Sequence, residues 1–271
     1  MKGRHYGLLL LSIALVSACA TSPTGRSQLM LVSPETAIVE SEKAYVNTVK
    51  ALGEENKLLN DPAINKRIQA ITGRVVYVAE QQYPRTRNWK WSVAVIDDAE
   101  TVNAWAMAGG RMAVYTGLLE QLKLTDAELA QIMGHEIAHA LANHTAEQMS
   151  VAMMTQVGVT AVGIATDASD TSMTAGAIAA QLAVQLPNSR TAESESDRIG
   201  IELAARAGYD PAAAVTLWQK MEKVGGGGPP QFLSTHPAPG DRQATLGKLV
   251  PKMRKLQPAT LGPVAPVTLA R

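Results

Sequence analysis

The stretch Thr125-Asp126-Ala127-Glu128-Leu129-Ala130-Gln131-Ile132-Met133-Gly134-His135-Glu136-Ile137-Ala138-His139-Ala140-Leu141-Ala142 decides how the rest of the chain is read. Thr125 and Glu128 form a capping box, which predicts a helix running to about Thr145. Inside it lies His135-Glu136-Ile137-Ala138-His139, an HExxH pattern. Positions i and i+4 lie about 40° apart on a helix, so both imidazoles project from one face. Two such nitrogens can share one tetrahedral zinc ion at about 2.0–2.1 Å. Glu136 sits one step round the helix, placed to take a proton from an attacking water. Ala138, Ala140, Leu141 and Ala142 are small or apolar, so the surroundings read as buried. Histidines and a carboxylate buried there need partners, and a metal ion is a good one.

A site of this kind requires a third protein ligand. Glu193-Ser194-Glu195-Ser196-Asp197 supplies candidates. On a helix Glu193, Asp197, Gly200 and Ala204 share a face whose later positions are small, suiting close packing against the HExxH helix. Glu195, Ile199, Glu202 and Arg206 share another face that is mostly charged and reads as solvated. Glu193 is therefore the expected third ligand, with Asp197 one turn on as acceptor for an imidazole N–H.

Outward from these helices the chain reads as mostly α-helical with a small sheet of about three strands, an α+β class. Pro34 to Gln82 reads as two helices broken near Asn60-Asp61-Pro62, with Asp61 a cap and Pro62 at the first helical position. Ile64, Ile68, Ile71, Val75 and Val78 make one apolar face of the second. Trp89 to Asp97 alternates and is rich in β-formers, so it reads as a strand. Asn103–Met107 and Met112–Thr116 flank Gly109-Gly110 as a hairpin. The small face Ala104, Ala106 and Ala108 would admit another backbone, either a neighbouring helix or an extended peptide laid along the edge strand at Asn103, Ala104 and Trp105. Later helices are expected near 191–207 and 211–224, followed by the flexible break Gly225 to Pro230. The polar turn Asp167–Ser172 could act as a lid.

The first eighteen residues read as an address. Lys2 and Arg4 precede the eleven-residue apolar run Leu8 to Ala18, too short for the roughly 20 residues a membrane-spanning helix needs. Val16-Ser17-Ala18-Cys19 resembles a bacterial lipobox. The expected organisation is a signal peptide over 1–18, a flexible tether over 19–33 after lipidated Cys19, and one domain over 34–271. Ala20 after the cysteine, by resemblance to other lipoproteins, favours an outer-membrane lipoprotein facing the periplasm of a Gram-negative bacterium. Cys19 is the sole cysteine among 271 residues, so no internal disulfide forms. With 25 basic and 24 acidic residues the net charge is +1, which offers no electrostatic footprint for nucleic acid.

The stretches Asn103-Ala104-Trp105-Ala106 with Gly109-Gly110-Arg111, Leu129 to His144, Ser189-Arg190 through Gly200, and Thr235-His236-Pro237 together resemble the zinc metallopeptidase family of CAAX prenyl protease 1 and HtpX. The resemblance points to that family's periplasmic and outer-membrane branch, which holds LoiP and the β-barrel assembly-enhancing protease. It implies a gluzincin fold, one Zn2+ per chain on His135, His139 and Glu193, and peptide-bond hydrolysis with Glu136 as general base. It also brings His236 to the metal site, either as a donor to the oxyanion of the intermediate or as an occupant of the open zinc position. His144 reads as structural, Asp241 as a helix cap, and Arg242 as a contact for substrate or intermediate. Implied partners are unfolded or misfolded envelope polypeptides, the membrane through the lipid anchor, and the outer-membrane assembly machinery or a related peptidase. The alternative is a non-cleaving, chaperone-like lipoprotein whose zinc position is blocked by His236. A purely structural zinc site with four protein ligands is the third reading.

Overall fold

A short polar side chain followed by proline opens both long N-terminal helices. Ser33 caps α1 (Pro34–Glu54) by accepting from the Thr36 N–H, and Asp61 caps α2 (Pro62–Gln82) by accepting from Ala63 and Ile64. Proline at the first position lacks only an N–H that the helix would leave unpaired. The computed structural model describes residues 19–166, 190–224, 231–237 and 241–271. The expected signal peptide, the Asp167–Ser172 turn and the Gly225–Pro230 break lie outside them.

Three strands follow α2: β3 (Ser92–Ile96), β4 (Ala104–Met107) and β5 (Arg111–Tyr115). β4 and β5 form the expected antiparallel hairpin, with Gly109 and Gly110 both at φ +82°. That left-handed conformation is available to glycine at little cost. β5 lies parallel to β3, and a fourth strand, β6 (Thr268–Leu269), joins β3 on its other side. The order β4-β5-β3-β6 leaves β4 on an edge. The sequence reading missed β6, because two residues carry no alternation to detect.

Helix α3 (Thr116–Leu122) leads into α4 (Asp126–Leu141), where both bonds of the Thr125–Glu128 capping box are present. α4 stops earlier than expected. Asn143 takes φ +55°, and α5 (His144–Thr166) starts afresh in a new direction. The remaining helices are α6, described over 190–206, α7 (Ala213–Lys223), α8 (Gln231–Thr235) and α9 (Arg242–Arg254), the last capped by Asp241 as expected.

The sheet is covered on both faces, which explains why β3 is buried at all five positions. On one side α1 packs Tyr45 and Val49 against Ala94, Ile96 and Ala113. On the other, Ile68, Ile71, Val75 and Val78 of α2 join Leu129, Ile132, Met133 and Ile137 of α4 in the main core. Ala104 is fully buried in that core, and Ala108 packs against Ala37 of α1 and Ala146 of α5. Neighbouring helices therefore occupy the ends of the small alanine face.

The segment read as a flexible tether is ordered. β1 (Cys19–Thr21) and β2 (Ser27–Leu29) pair as an antiparallel hairpin, and Gln28 Nε2 donates to the Ala142 carbonyl at 2.8 Å. Proline and glycine over this stretch make the turn of a docked hairpin: Gly25 sits at φ +89° and its N–H donates to the Ser22 carbonyl. Among the described residues, no helix is long and apolar enough to cross a membrane.

Candidate metal centre and active site

Two glycines bring the chemistry together. A Cβ on Gly200 would lie 2.7 Å from the His135 backbone nitrogen, and one on Gly134 would lie 2.7 Å from the Gly200 carbonyl oxygen. The backbones of α4 and α6 therefore touch where the HExxH pattern begins. Glu193, seven residues before Gly200 and so about two turns along α6, is delivered to the imidazoles.

Four side chains converge. His135 Nε2 and His139 Nε2 are 3.1 Å apart. The Glu193 carboxylate reaches His135 Nε2 at 3.1 Å and His139 Nε2 at 3.2 Å. His236 Nδ1 stands 3.1 Å from Glu193 Oε1 and 3.3 Å from His135 Nε2. His236 follows α8, where Phe232 is stacked on its ring at 4.4 Å between centroids. A tetrahedron with arms of about 2.05 Å has edges of about 3.3 Å, close to these separations.

His135 is supported directly. Its Nδ1 lies 3.0 Å from Asp197 Oδ1, which accepts in turn from Arg242 Nη2 at 2.5 Å. Arg242 also donates to Glu193 Oε2 at 3.3 Å and lies 3.6 Å over the Trp218 ring. It is a buried wall of the site, 4% exposed, where the sequence suggested a contact for substrate.

His139 is supported at one remove, by residues the sequence reading set aside. Its Nδ1 lies 2.9 Å from His144 Nδ1, and His144 Nε2 lies 3.1 Å from Glu195 Oε2. His144 reaches back because the Asn143 turn redirects the chain. Glu195, expected on a solvated face, is 5% exposed. The N-terminal hairpin covers it: Thr24 Oγ1 donates to Oε1 at 2.5 Å, and Arg26 Nη2 to Oε2 at 3.0 Å. Arg26 also grips Glu147 with two bonds of 2.6 and 2.7 Å.

Glu136 is 2% exposed, and its Oε1 has no hydrogen-bond partner among the described residues. The nearest polar atom recorded for it is His236 Nε2 at 3.4 Å, which does not meet hydrogen-bond geometry. The free edge of β4 runs past this carboxyl group. Asn103, Trp105 and Met107 pair with β5, so the backbone groups of Ala104 and Ala106 turn outward. Asn103 Oδ1 already takes the Ala104 N–H at 3.0 Å, while the Ala106 N–H faces Glu136. The part of the edge left for a partner strand therefore begins at Ala106, three residues beyond Asn103, where the sequence reading began it.

Electrostatics test whether a cation fits. Burial opposes charge on His139 and takes its imidazole down to about 3. His135 is buried too, yet Glu193 and Asp197 outweigh that and raise it to about 9. Burial likewise opposes the charge of Glu193, but His135 and the other two imidazoles hold it well below the usual carboxylate range. Burial pushes the Glu136 carboxyl up. The cluster thus draws in positive charge and leaves its second imidazole neutral with a free lone pair. Two carboxyl groups, Glu193 and Asp197, share one guanidinium, Arg242. His135, His139, Glu193 and His236 form the set that could hold a metal ion among the described residues, and a divalent cation suits both the charge and the converging lone pairs.

An HExxH helix meeting a carboxylate on a facing helix, over a small sheet with an edge beside the glutamate, defines a gluzincin-type metallopeptidase domain. The match to Peptidase family M48 covers residues 62–250, and the chain belongs to that family. It is 33% identical over 268 residues to the mitochondrial metalloendopeptidase OMA1 of Bos taurus, covering 93% of this chain and 50% of that protein. It is 27% identical over 277 residues to the putative β-barrel assembly-enhancing protease of Vibrio cholerae, covering 97% and 55% respectively. The β-barrel assembly-enhancing protease of Escherichia coli is 27% identical over 217 residues, covering 77% and 43%. The chain spans about half the length of the curated relatives it matches. The sequence reading anticipated the β-barrel assembly-enhancing proteases but not the mitochondrial metalloendopeptidases.

Proposed function

We propose that this chain is a zinc-dependent endopeptidase of the bacterial cell envelope that hydrolyses peptide bonds in unfolded or misfolded proteins. The observation that carries the reading is Glu136: a buried carboxyl with an unpartnered oxygen, beside four converging metal donors and the open edge of β4. A structural metal site has no use for such a group.

His135, His139 and Glu193 would hold the zinc ion, which when bound polarises the scissile carbonyl and acidifies the attacking water. Glu136 accepts that water's proton at its carboxylate and returns it to the leaving amine. Asp197 and Arg242 keep the His135 ring turned so that its Nε2 lone pair faces the cluster. The β4 edge from Ala106 onward would pair with an extended substrate backbone. That selects unfolded chains, because a packed segment has no free backbone to offer.

Location and partners belong to the same proposal. The lipobox-like run ending at Cys19 supports an outer-membrane lipoprotein facing the periplasm, within the branch that holds LoiP. The names of the Vibrio cholerae and Escherichia coli relatives support an association with outer-membrane protein assembly. Cleavage of unfolded casein by the purified protein, with and without chelator, tests the activity. Glu136→Gln is expected to lower the rate by about 10²–10⁴-fold while zinc still binds; an unchanged rate would refute the mechanism.

The second reading, a chaperone-like lipoprotein with a blocked site, is favoured by one observation. His236 Nδ1 stands within 3.3 Å of both His135 and Glu193 donor atoms, where a fourth ligand would sit. His236→Ala separates the readings: it raises cleavage if the ring is a block and lowers it if the ring stabilises the intermediate.

A further inference from the structure

The N-terminal hairpin reaches the metal centre through a continuous line of hydrogen bonds. A metal held at His139 Nε2 needs that nitrogen's lone pair, so the ring must carry its proton on Nδ1, from which it donates to His144 Nδ1 at 2.9 Å. His144 then carries its own proton on Nε2 and donates to Glu195 Oε2 at 3.1 Å. Glu195 is fixed on its other side by Arg26, through Nε at 3.1 Å and Nη2 at 3.0 Å, and by Thr24. Arg26 itself is clamped by Glu147 on α5. Each ring proton in the line has an acceptor ahead of it, with Ser196 Oγ a longer neighbour of His144 Nδ1 at 3.4 Å, so the tautomer of His139 is coupled to the carboxylate at the far end. His135 needs no such line because Asp197 touches it directly.

We propose that Arg26 is a positioning residue of the metal centre. By pinning Glu195 it holds His144, and through His144 it fixes the ring orientation and tautomer of His139. The hairpin over 19–29 is thereby a working part of the site. Removing the guanidinium frees Glu195 to turn toward solvent, lets His144 rotate, and leaves His139 with an undetermined tautomer. The inference rests on the metallopeptidase reading, since it assigns His139 a metal to hold.

The test uses metal binding, which needs no turnover. In the full chain, Arg26→Gln is compared with wild type by competition against a chromophoric zinc chelator, and by the visible spectrum of the Co(II)-substituted protein. The expected result is a zinc affinity lower by roughly 10-fold, the low end of the range for residues that hold a metal ligand's hydrogen bond, with a shifted cobalt spectrum. The kcat for casein should fall while KM holds. Glu195→Gln should shift the spectrum in the same direction, and the double variant should be no worse than the more severe single one. Gln28→Ala also loosens the hairpin, through Ala142 and Glu147, but leaves the bonds from Arg26 to Glu195, His144 and His139 in place; it should change affinity and spectrum by clearly less than Arg26→Gln does. Wild-type affinity and spectrum in Arg26→Gln would overturn the proposal, as would an equal change in Gln28→Ala. Should Arg26→Gln not fold, Glu195→Gln carries the same two outcomes. A wild-type chain that binds no zinc at all would instead refute the metallopeptidase reading itself.

Discussion

The two histidines of the HExxH pattern are supported in opposite ways. His135 is held by Asp197, one turn beyond Glu193 on the same helix, with Arg242 behind it. His139 is held by His144, Glu195 and Arg26, contributed by three separate stretches of chain. In both cases an imidazole N–H ends at a carboxylate backed by an arginine. The His135 arrangement is short and buried among α4, α6 and the start of α9, whereas the His139 arrangement is longer and ends at a hairpin near the surface, where the Arg26 side chain is 20% exposed. A direct support of this kind resists perturbation; a relayed one can be disturbed from a distance.

The largest expected effect bears on both supports together. Zinc at a thousandfold excess over its Kd should stabilise the fold by about 4 kcal/mol, read as a rise in the urea midpoint that chelation reverses. No stabilisation would mean that neither imidazole ligates. Next, Gly200→Val should break the side that Asp197 and Glu193 share. Its Cβ would meet the His135 backbone, so α4 and α6 must separate, at about 1–3 kcal/mol of overpacking strain. Equilibrium unfolding and zinc content should fall together; full zinc loading would contradict the close approach. Asp197→Asn sharpens the contrast directly. Its zinc affinity should drop toward 100-fold, the upper end of the range for such partners, and so exceed the effect of Glu195→Gln, as measured by chelator competition.

The smallest effect lies at the far end of α4, away from both supports. Lys220 Nζ donates to Glu128 Oε2 at 2.6 Å. Burial opposes the charge of Glu128, but Lys220 and the capping bonds lower its carboxyl below the ordinary value. A carboxyl lowered in the fold stabilises above its unfolded value of about 4.3, and loses that contribution as pH falls through the folded one. Lys220→Met should therefore cost about 1 kcal/mol or less at pH 7, a deficit that closes under acid. Thermal unfolding against pH checks this, with zinc binding expected to stay unchanged.

The same contrast explains what could be read in advance. Asp197 was legible because a helix places residues four apart on one face, and the small residues Gly200 and Ala204 marked that face as packed. Glu195 was misplaced by the same logic. Periodicity grouped it with Glu202 and Arg206 on a charged face, and nothing local showed that Arg26, 169 residues away, would cover it. The stretch around Arg26 read as a tether because its proline and glycine mark turns equally in a loose linker and in a docked hairpin. His144 was set aside as structural, although its ring stands 2.9 Å from His139 Nδ1. Its reach to His139 depends on the Asn143 turn, which a continuous helix to Thr145 would have removed. The hairpin β4–β5 and the two capped N-terminal helices were legible because their signals are local: paired glycines, and a polar cap before proline.

The account rests on one ion bridging α4 and α6. Anomalous diffraction at the zinc edge, from crystals of the full chain grown with zinc, tests it most directly. The predicted result is a single strong peak about 2.0–2.2 Å from His135 Nε2, His139 Nε2 and a Glu193 oxygen. A peak that leaves out Glu193, or none at all between the two helices, would contradict it.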